Sequence, residues 1–325
     1  MGKLCRIFTV LLLVIMAWSV PSPSCAVELP RAPGWQLVWS DEFEGKGIDR
    51  SKWDFDFGNG FYAYDTKQWV NGWGNNELQY YTNAPENAFV KDGMLHLRVM
   101  KESFMGCGYT SARLKTRDRF GNSLFSKTYG RYEFRAKLPA SKAIWPAIWM
   151  LPQNDAYGVW AASGEIDIVE VDGQTPNQIR NTIHFGSRWP ANAFVRKDYN
   201  LPVNQRVTDF HVYAFEWEPG EIRSYIDGQL LATHNFWWSS SKKVEVRGVA
   251  PSNESELNRW PAPFDQPFYI IMNIAVEGRF PNDPDETTVF PADMVVDYVR
   301  VYDKVGGYDQ LSPRGEGPLP FSMKN

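Results

Sequence analysis

Apolar residues in this chain recur in short alternating runs rather than at helical spacing. Residues 35–39, 95–99, 131–138, 144–150, 181–185, 211–217, 222–226, 268–275 and 294–302 each read as a strand. Gly, Pro, Asn and Asp fill the gaps between them. Beyond the N-terminal segment no stretch of ten or more residues holds helical periodicity, and no fixed-period repeat is present. This pattern predicts an all-β sandwich or barrel and argues against a propeller or solenoid.

One run breaks the alternation. In Gly164-Glu165-Ile166-Asp167-Ile168-Val169-Glu170-Val171, β-branched residues alternate with acids up to Ile168. Strict alternation would then turn Glu170 onto the apolar face. The doubled aliphatics Ile168 and Val169 predict a β-bulge, which uses up one residue and returns Glu170 to the face of Glu165 and Asp167. Three carboxylates on one face, with no Lys or Arg in the run, repel one another. A solvated acidic edge strand could carry the same residues. The arrangement also suits a site where one carboxyl stays charged and another protonated, as glycoside hydrolysis requires.

The N-terminus predicts a leader. Lys3 and Arg6 precede an apolar run over 7–20, and Ser24-Cys25-Ala26 offers small residues for cleavage after Ala26. A lipoprotein anchored at Cys25 is the alternative. The expected organisation is a signal peptide over 1–26, one domain over 27–304 and a disordered Gly/Pro-rich tail over 305–325. Once the leader is removed, Cys107 is the one cysteine left, so the core must hold without an internal disulfide. The four histidines (His96, His184, His211, His234) have no metal-ligand spacing.

A net charge of −4 and the lack of a basic run argue against a nucleic-acid partner. The 14 Trp, 15 Tyr and 20 Phe are numerous enough to supply both a core and rings for stacking on sugars. Several are placed for the second role. The loop from Trp69 to Tyr81 is dense in Trp, Asn and Tyr and puts Asn75 on a candidate cleft wall, although a structural loop held by Asx-turns would look similar. Trp145 and Trp149 share a strand face leading toward the acids, where both line a groove or both are buried. Arg113 could pair with cleft carboxylates or with sugar hydroxyls. A strand after the acidic run would bring His184 and Trp189 near Glu170, with His184 either hydrogen-bonded to it or a structural histidine. Asn273 is a lone polar residue on an apolar strand, either a cleft residue or a satisfied core amide.

WGNNELQYY (73–81), YTSAR (109–113), WPAIWMLP (145–152), GEIDIVE (164–170), HFGSRWP (184–190), FHVYAFEWEP (210–219), PFYIIMNIAVEG (267–278) and VDYVRVY (296–302) together resemble glycoside hydrolase family 16, in particular its laminarinase-type endo-β-1,3-glucanases. The resemblance implies a β-jelly roll of two curved antiparallel sheets with a concave substrate groove. It implies action on β-glucan polysaccharide. A monomer with no membrane attachment after cleavage is expected beside it. Glu165 would be the nucleophile, Glu170 the acid/base and Asp167 the helper between them. No cofactor is implied for the chemistry. A structural Ca²⁺ is, held by Asp297 with backbone oxygens near Glu42 and Gly93; a paired or solvated Asp297 is the alternative. Glu277 departs from the family pattern, where many members have Gly. Other functions on the same fold are a non-catalytic glucan-recognition protein, an enzyme for mixed-linkage glucan or a marine galactan, and a transglycosylase.

With one residue bulged, Glu165 and Glu170 are about four strand steps apart, roughly 13 Å between Cα atoms. Retention needs carboxyl groups only ~5–5.5 Å apart, so both side chains are expected to lean over Asp167.

Overall fold

The computed structural model describes residues 33–241, 248–278, 283–308 and 310–321. The proposed leader over 1–26 lies outside them. The described residues form a β-jelly-roll sandwich with two short 3₁₀ turns. Seven antiparallel strands make one sheet, in the order Asn192–Asn200, Gln178–Gly186, Glu165–Glu170, Ile144–Pro152, Phe268–Val276, Arg113–Lys115, Asp54–Phe55. The larger sheet has ten strands and is centred on Ala292–Lys304, which pairs with Gly130–Lys137 on one side and with Met94–Phe104 on the other.

The alternation in the sequence is what builds the core. In Gly130–Lys137 every second residue is buried, so Tyr132, Phe134 and Ala136 face the opposite sheet. Ile148, Met150, Ile166, Ile183 and Phe185 answer from the seven-stranded sheet and join one cluster with Phe215, Val299 and Val301. Each fully buried aliphatic of this kind stabilises the sandwich by about 1.5–3 kcal/mol. Phe268–Val276 is buried along its whole length. One face meets the core, and the other is roofed by the loop around Gln79 and Tyr81, whose side chains bond Val276 and Asn273.

Every strand expected from the sequence is present, generally a few residues longer. Asp227-Gly228 turns Glu221–Ile226 into Gln229–His234 with both residues at positive φ, as the two-residue hairpin geometry requires. The tail departs from expectation, because its described part is docked rather than disordered. Ser312 N–H donates to Pro219 O at 2.9 Å, Trp260 Nε1 donates to Ser312 O at 2.7 Å, and Gly315 N–H donates to Asn235 O at 2.6 Å. Leu319 packs on the core cluster. A Cβ at Gly315 would meet the Asn235 side-chain Oδ1 at 2.4 Å and the Asn235 backbone O at 3.1 Å, so glycine here serves close packing against Asn235 rather than mobility.

Candidate active site

The acidic strand is entered through Gly164. Its φ is +89°, and a Cβ there would lie 2.9 Å from the Phe264 ring. Only glycine makes that entry without displacing the core. The bulge follows where the doubled aliphatics predict it. Ala147 pairs with Glu170 and Ile148 with Val169, yet Trp149 pairs with Asp167. On the other side Asp167 faces Thr182 and Glu170 faces Arg180, so Ile168 and Val169 share the single opposite residue Asn181. Ile166, Ile168 and Val169 are buried, while Glu165 and Glu170 remain partly open.

The three acids occupy different environments. Glu165 accepts a hydrogen bond on Oε2 from Trp160 Nε1 at 2.7 Å, and its Oε1 lies 3.8 Å from His184 Nε2. Glu170 accepts on Oε1 from Trp145 Nε1 at 3.1 Å. Burial, reinforced by the charge of Glu165, pushes Glu170 up to about 7, against the pull of His184 and the Trp145 N–H. Asp167 is 3% exposed, and burial with the two glutamate charges holds its carboxyl well above the usual range. His184 sits 3.4 Å from Asp167. Burial alone would lower the imidazole, but contact with Asp167 and the charges of Glu165 and Glu170 prevail and raise it to about 9. One cation among three carboxyls thus favours a state in which not every acid is ionised. These residues are also the one set among those described, Glu165, Asp167 and His184, that brings three metal-ligand atoms within 4.8 Å of one another. A cation there would sit on the candidate nucleophile.

His184 corrects one expectation. It stands opposite Glu165 in the register and contacts Asp167 and Glu165, rather than hydrogen-bonding Glu170. An antiparallel hairpin runs back along the acidic strand, so its later residues return to the Glu165 end. Trp189 goes with it: its backbone N–H donates to Trp160 O at 3.2 Å, at the Glu165 end, and the residue is 37% exposed.

The candidate wall residues form a connected floor beside the acids. Arg113 pairs with Asp56 at 2.9 Å and not with the acidic strand. Its guanidinium lies between the Trp73 and Trp149 rings, 4.6 and 4.7 Å from their centroids. Asn273 is the satisfied amide: it accepts from Trp149 Nε1 at 2.7 Å and donates to the Tyr81 hydroxyl at 2.9 Å. Tyr81 in turn donates to Glu77 Oε2 at 3.4 Å, where Gln79 Nε2 also donates at 2.7 Å, and Asn75 Nδ2 donates to Glu77 Oε1 at 3.1 Å. Burial raises the Glu77 carboxyl, opposed by these donors and by Arg113. The loop that carries Asn75 is therefore tied to the sheet floor through a half-buried acid that sequence reasoning passed over.

Trp160 was also missed, since it lies in an irregular connection where no periodicity speaks. Its signal was a lone Trp five residues before the first acid. Glu277 explains itself through its backbone: φ is +61°, a conformation that favours Gly. Gly278 beside it packs under Trp145, where a Cβ would come 2.9 Å from the ring.

At the candidate Ca²⁺ site the register brings the right stretches together. Asp41 pairs with Val299 and Leu95 with Val296, so Glu42 and Gly93 lie beside the segment that holds Asp297. The Asp297 carboxylate, however, is bonded to Arg135 at 2.5 Å and that of Glu42 to Arg300 at 2.8 Å. Asp297 is thus in its ion-paired arrangement.

The comparisons with known proteins agree with this geometry. The model for glycosyl hydrolases family 16 matches residues 75–245. The chain is 42% identical over 280 residues to a beta-glucanase of Rhodothermus marinus, covering 84% of this chain and 86% of that protein. It is 42% identical over 289 residues to glucan endo-1,3-beta-glucosidase A1 of Niallia circulans, covering 84% of this chain but spanning only 38% of that longer protein. The laminarinase catalytic domain from Thermotoga maritima superposes with a TM-score of 0.67 at 39% identity, covering 83% of this chain and 99% of that one.

Proposed function

This chain belongs to glycosyl hydrolases family 16, and on that footing we propose that it is an exported, monomeric, retaining endo-glycosidase that hydrolyses β-1,3-linked, laminarin-like glucan. The observation that carries the reading is the pair Glu165 and Glu170 on one face of one bulged strand, in unlike surroundings. Names of relatives supply the substrate class; the pair supplies the chemistry.

In the first step Glu165 attacks the anomeric carbon and forms a glycosyl ester. Its Oε2 is held by the Trp160 N–H, which fixes the carboxylate for in-line approach. Glu170, pushed up to about 7, is protonated at mildly acidic pH and gives its proton to the leaving oxygen. Ester formation removes the charge on Glu165. One of the causes that raised Glu170 then disappears, its affinity for a proton falls, and it can take one from the incoming water. Asp167 and His184 balance charge beneath the pair. None of these steps calls for a cofactor.

The non-catalytic glucan-recognition reading lacks support, because both glutamates are present and each is held by its own indole N–H, Glu165 by Trp160 and Glu170 by Trp145. A shift of specificity toward mixed-linkage glucan or a galactan would centre on Glu277, which stands beside the Gly278–Trp145 contact. The test is chromatographic product analysis with laminarin, mixed-linkage glucan, agarose and carboxymethylcellulose, using Glu165→Gln as control. Oligosaccharides from laminarin that first appear as the β-anomer by NMR, and vanish in the control, would support it. Products from another polymer alone would move the substrate, and initial α-anomer would refute retention. N-terminal sequencing of protein recovered from culture medium tests export and cleavage after Ala26. For the metal, a chelator that lowers Tm by several degrees would mean Ca²⁺ displaces Arg135 from Asp297; an unchanged Tm means the ion pair stands.

A further inference from the structure

The bulge that carries Glu170 is held from behind by a residue of the neighbouring strand. Asn181 is the one residue opposite both Ile168 and Val169, and its side chain is 3% exposed, between the two sheets. Its Nδ2 donates to Asp167 O at 2.7 Å and to Ile168 O at 3.3 Å, backbone carbonyls at the point where the ladder is interrupted. A bulge leaves such groups short of strand partners, and in the interior an unmade bond is costly.

The orientation of this amide is not arbitrary. Carbonyls only accept, so Nδ2 must face them and Oδ1 must face away. Two side chains of the opposite sheet meet that oxygen: Ser224 Oγ donates at 3.0 Å, and His234 Nε2 lies at 2.7 Å. Both are buried. Burial, with Lys197 nearby, pulls His234 down to about 4, so the ring is neutral and its proton belongs on Nε2, facing Oδ1. Asn181 is thereby clamped between a donor pair in one sheet and the bulged backbone of the other.

We propose that Asn181, seated by His234 and Ser224, is a positioning residue for the acid/base: it holds the bulge in the register that turns Glu170 onto the reacting face. The inference rests on the assignment of Glu170 as acid/base. Asn181 lies behind the strand and touches no groove residue's side chain in these bonds, so its effect should fall on proton donation to the leaving group rather than on substrate binding.

Two substrates separate this from a general loss of structure. Laminarin has a poor leaving group and needs the acid. A 2,4-dinitrophenyl β-laminari-oligosaccharide expels a phenolate that leaves unaided, and kcat/KM reports only the steps through that departure. With Asn181→Ala, kcat/KM on laminarin is expected to fall about 100-fold, and on the aryl glycoside by less than about threefold. His234→Phe should act in the same direction at about tenfold, and His234→Gln, which keeps an N–H donor, should recover most of the loss. Equal falls on both substrates would overturn the proposal, as would His234→Phe and His234→Gln behaving alike. Should Asn181→Ala not fold, the His234 pair decides alone. A wild-type protein inactive on both substrates would instead refute the functional reading, and this proposal with it.

Discussion

Replacing Trp145 with Phe removes one N–H from Glu170 while keeping a ring in place. The bond is 3.1 Å long and falls on Oε1. Because it favours the ionised carboxyl, its loss must raise the Glu170 pKa above about 7. A hydrogen bond to a charged acceptor contributes about 1.5–3 kcal/mol when shielded. Glu170 is only partly buried and water can replace the indole, so roughly 0.7–1.4 kcal/mol is the share expected here, about half to one pKa unit. The assay is kcat/KM on laminarin from about pH 4 to about pH 10, whose basic limb reports the acid of the free enzyme. The wild-type limb should lie near 7 and the variant's near ~7.5–8. Absolute activity also drops through lost stacking, but that changes the height of the profile and not the position of its limb. Trp149→Phe is the matched control, since the Trp149 N–H serves Asn273 and not the acid. A Trp145→Phe limb at or below the wild-type value would refute the reasoning.

Other consequences follow from the same geometry. Glu165→Gln should cost at least ~10³-fold in kcat/KM, and a ¹³C NMR titration should find Glu170 lower than in the wild type, though burial still holds it up; an unmoved titration would break the proposed coupling. Glu277→Gly relieves a left-handed conformation worth about 1–2 kcal/mol at an entropic cost of about 0.5–1, so Tm should hold or rise by up to roughly 4 °C; calorimetry that shows a fall would contradict this. The raised His184 makes a stability contribution that is full below its ordinary value near 6.5 and is lost as pH rises through about 9. Glu170, a carboxyl raised by burial, acts in the same direction, costing stability as pH climbs from its ordinary 4.5 through about 7. The Tm advantage of wild type over His184→Gln should therefore shrink between about pH 6.5 and about pH 9; a constant or growing gap would count against the assigned ion pair.

The fold was legible because a two-layer β-sandwich writes itself locally. Many strands announce their buried face by alternation, as Tyr132, Phe134 and Ala136 do, and the acidic strand announced even its irregularity through Ile168 and Val169. Position along the groove was less legible. His184 and Trp189 were expected beside Glu170, yet the returning chain placed them at the Glu165 end, His184 by strand register and Trp189 by its backbone bond to Trp160, because direction of travel, not nearness in sequence, decides which end a hairpin returns to. The tail misled for a related reason: composition records that Gly and Pro free a chain, whereas Gly315 and Ser312 use that freedom to dock.

What stayed hidden were residues whose meaning lies in another layer. Glu77 looked like one polar residue in a polar loop, and it gains its role only when Gln79, Tyr81 and Asn75 converge on it. Asn181 carried a stronger clue: it is a polar residue on the inward face of a strand, next to a run whose bulge the sequence already predicted. A bulge frees backbone groups, buried backbone groups must be paired, and a buried amide on the adjacent strand is a group able to pair them. Followed one step further, that chain of requirements reaches Asn181 before any coordinates do. His234 and Ser224 lie beyond that reach, because nothing in a sequence says which strands of the opposite sheet cross behind a given residue.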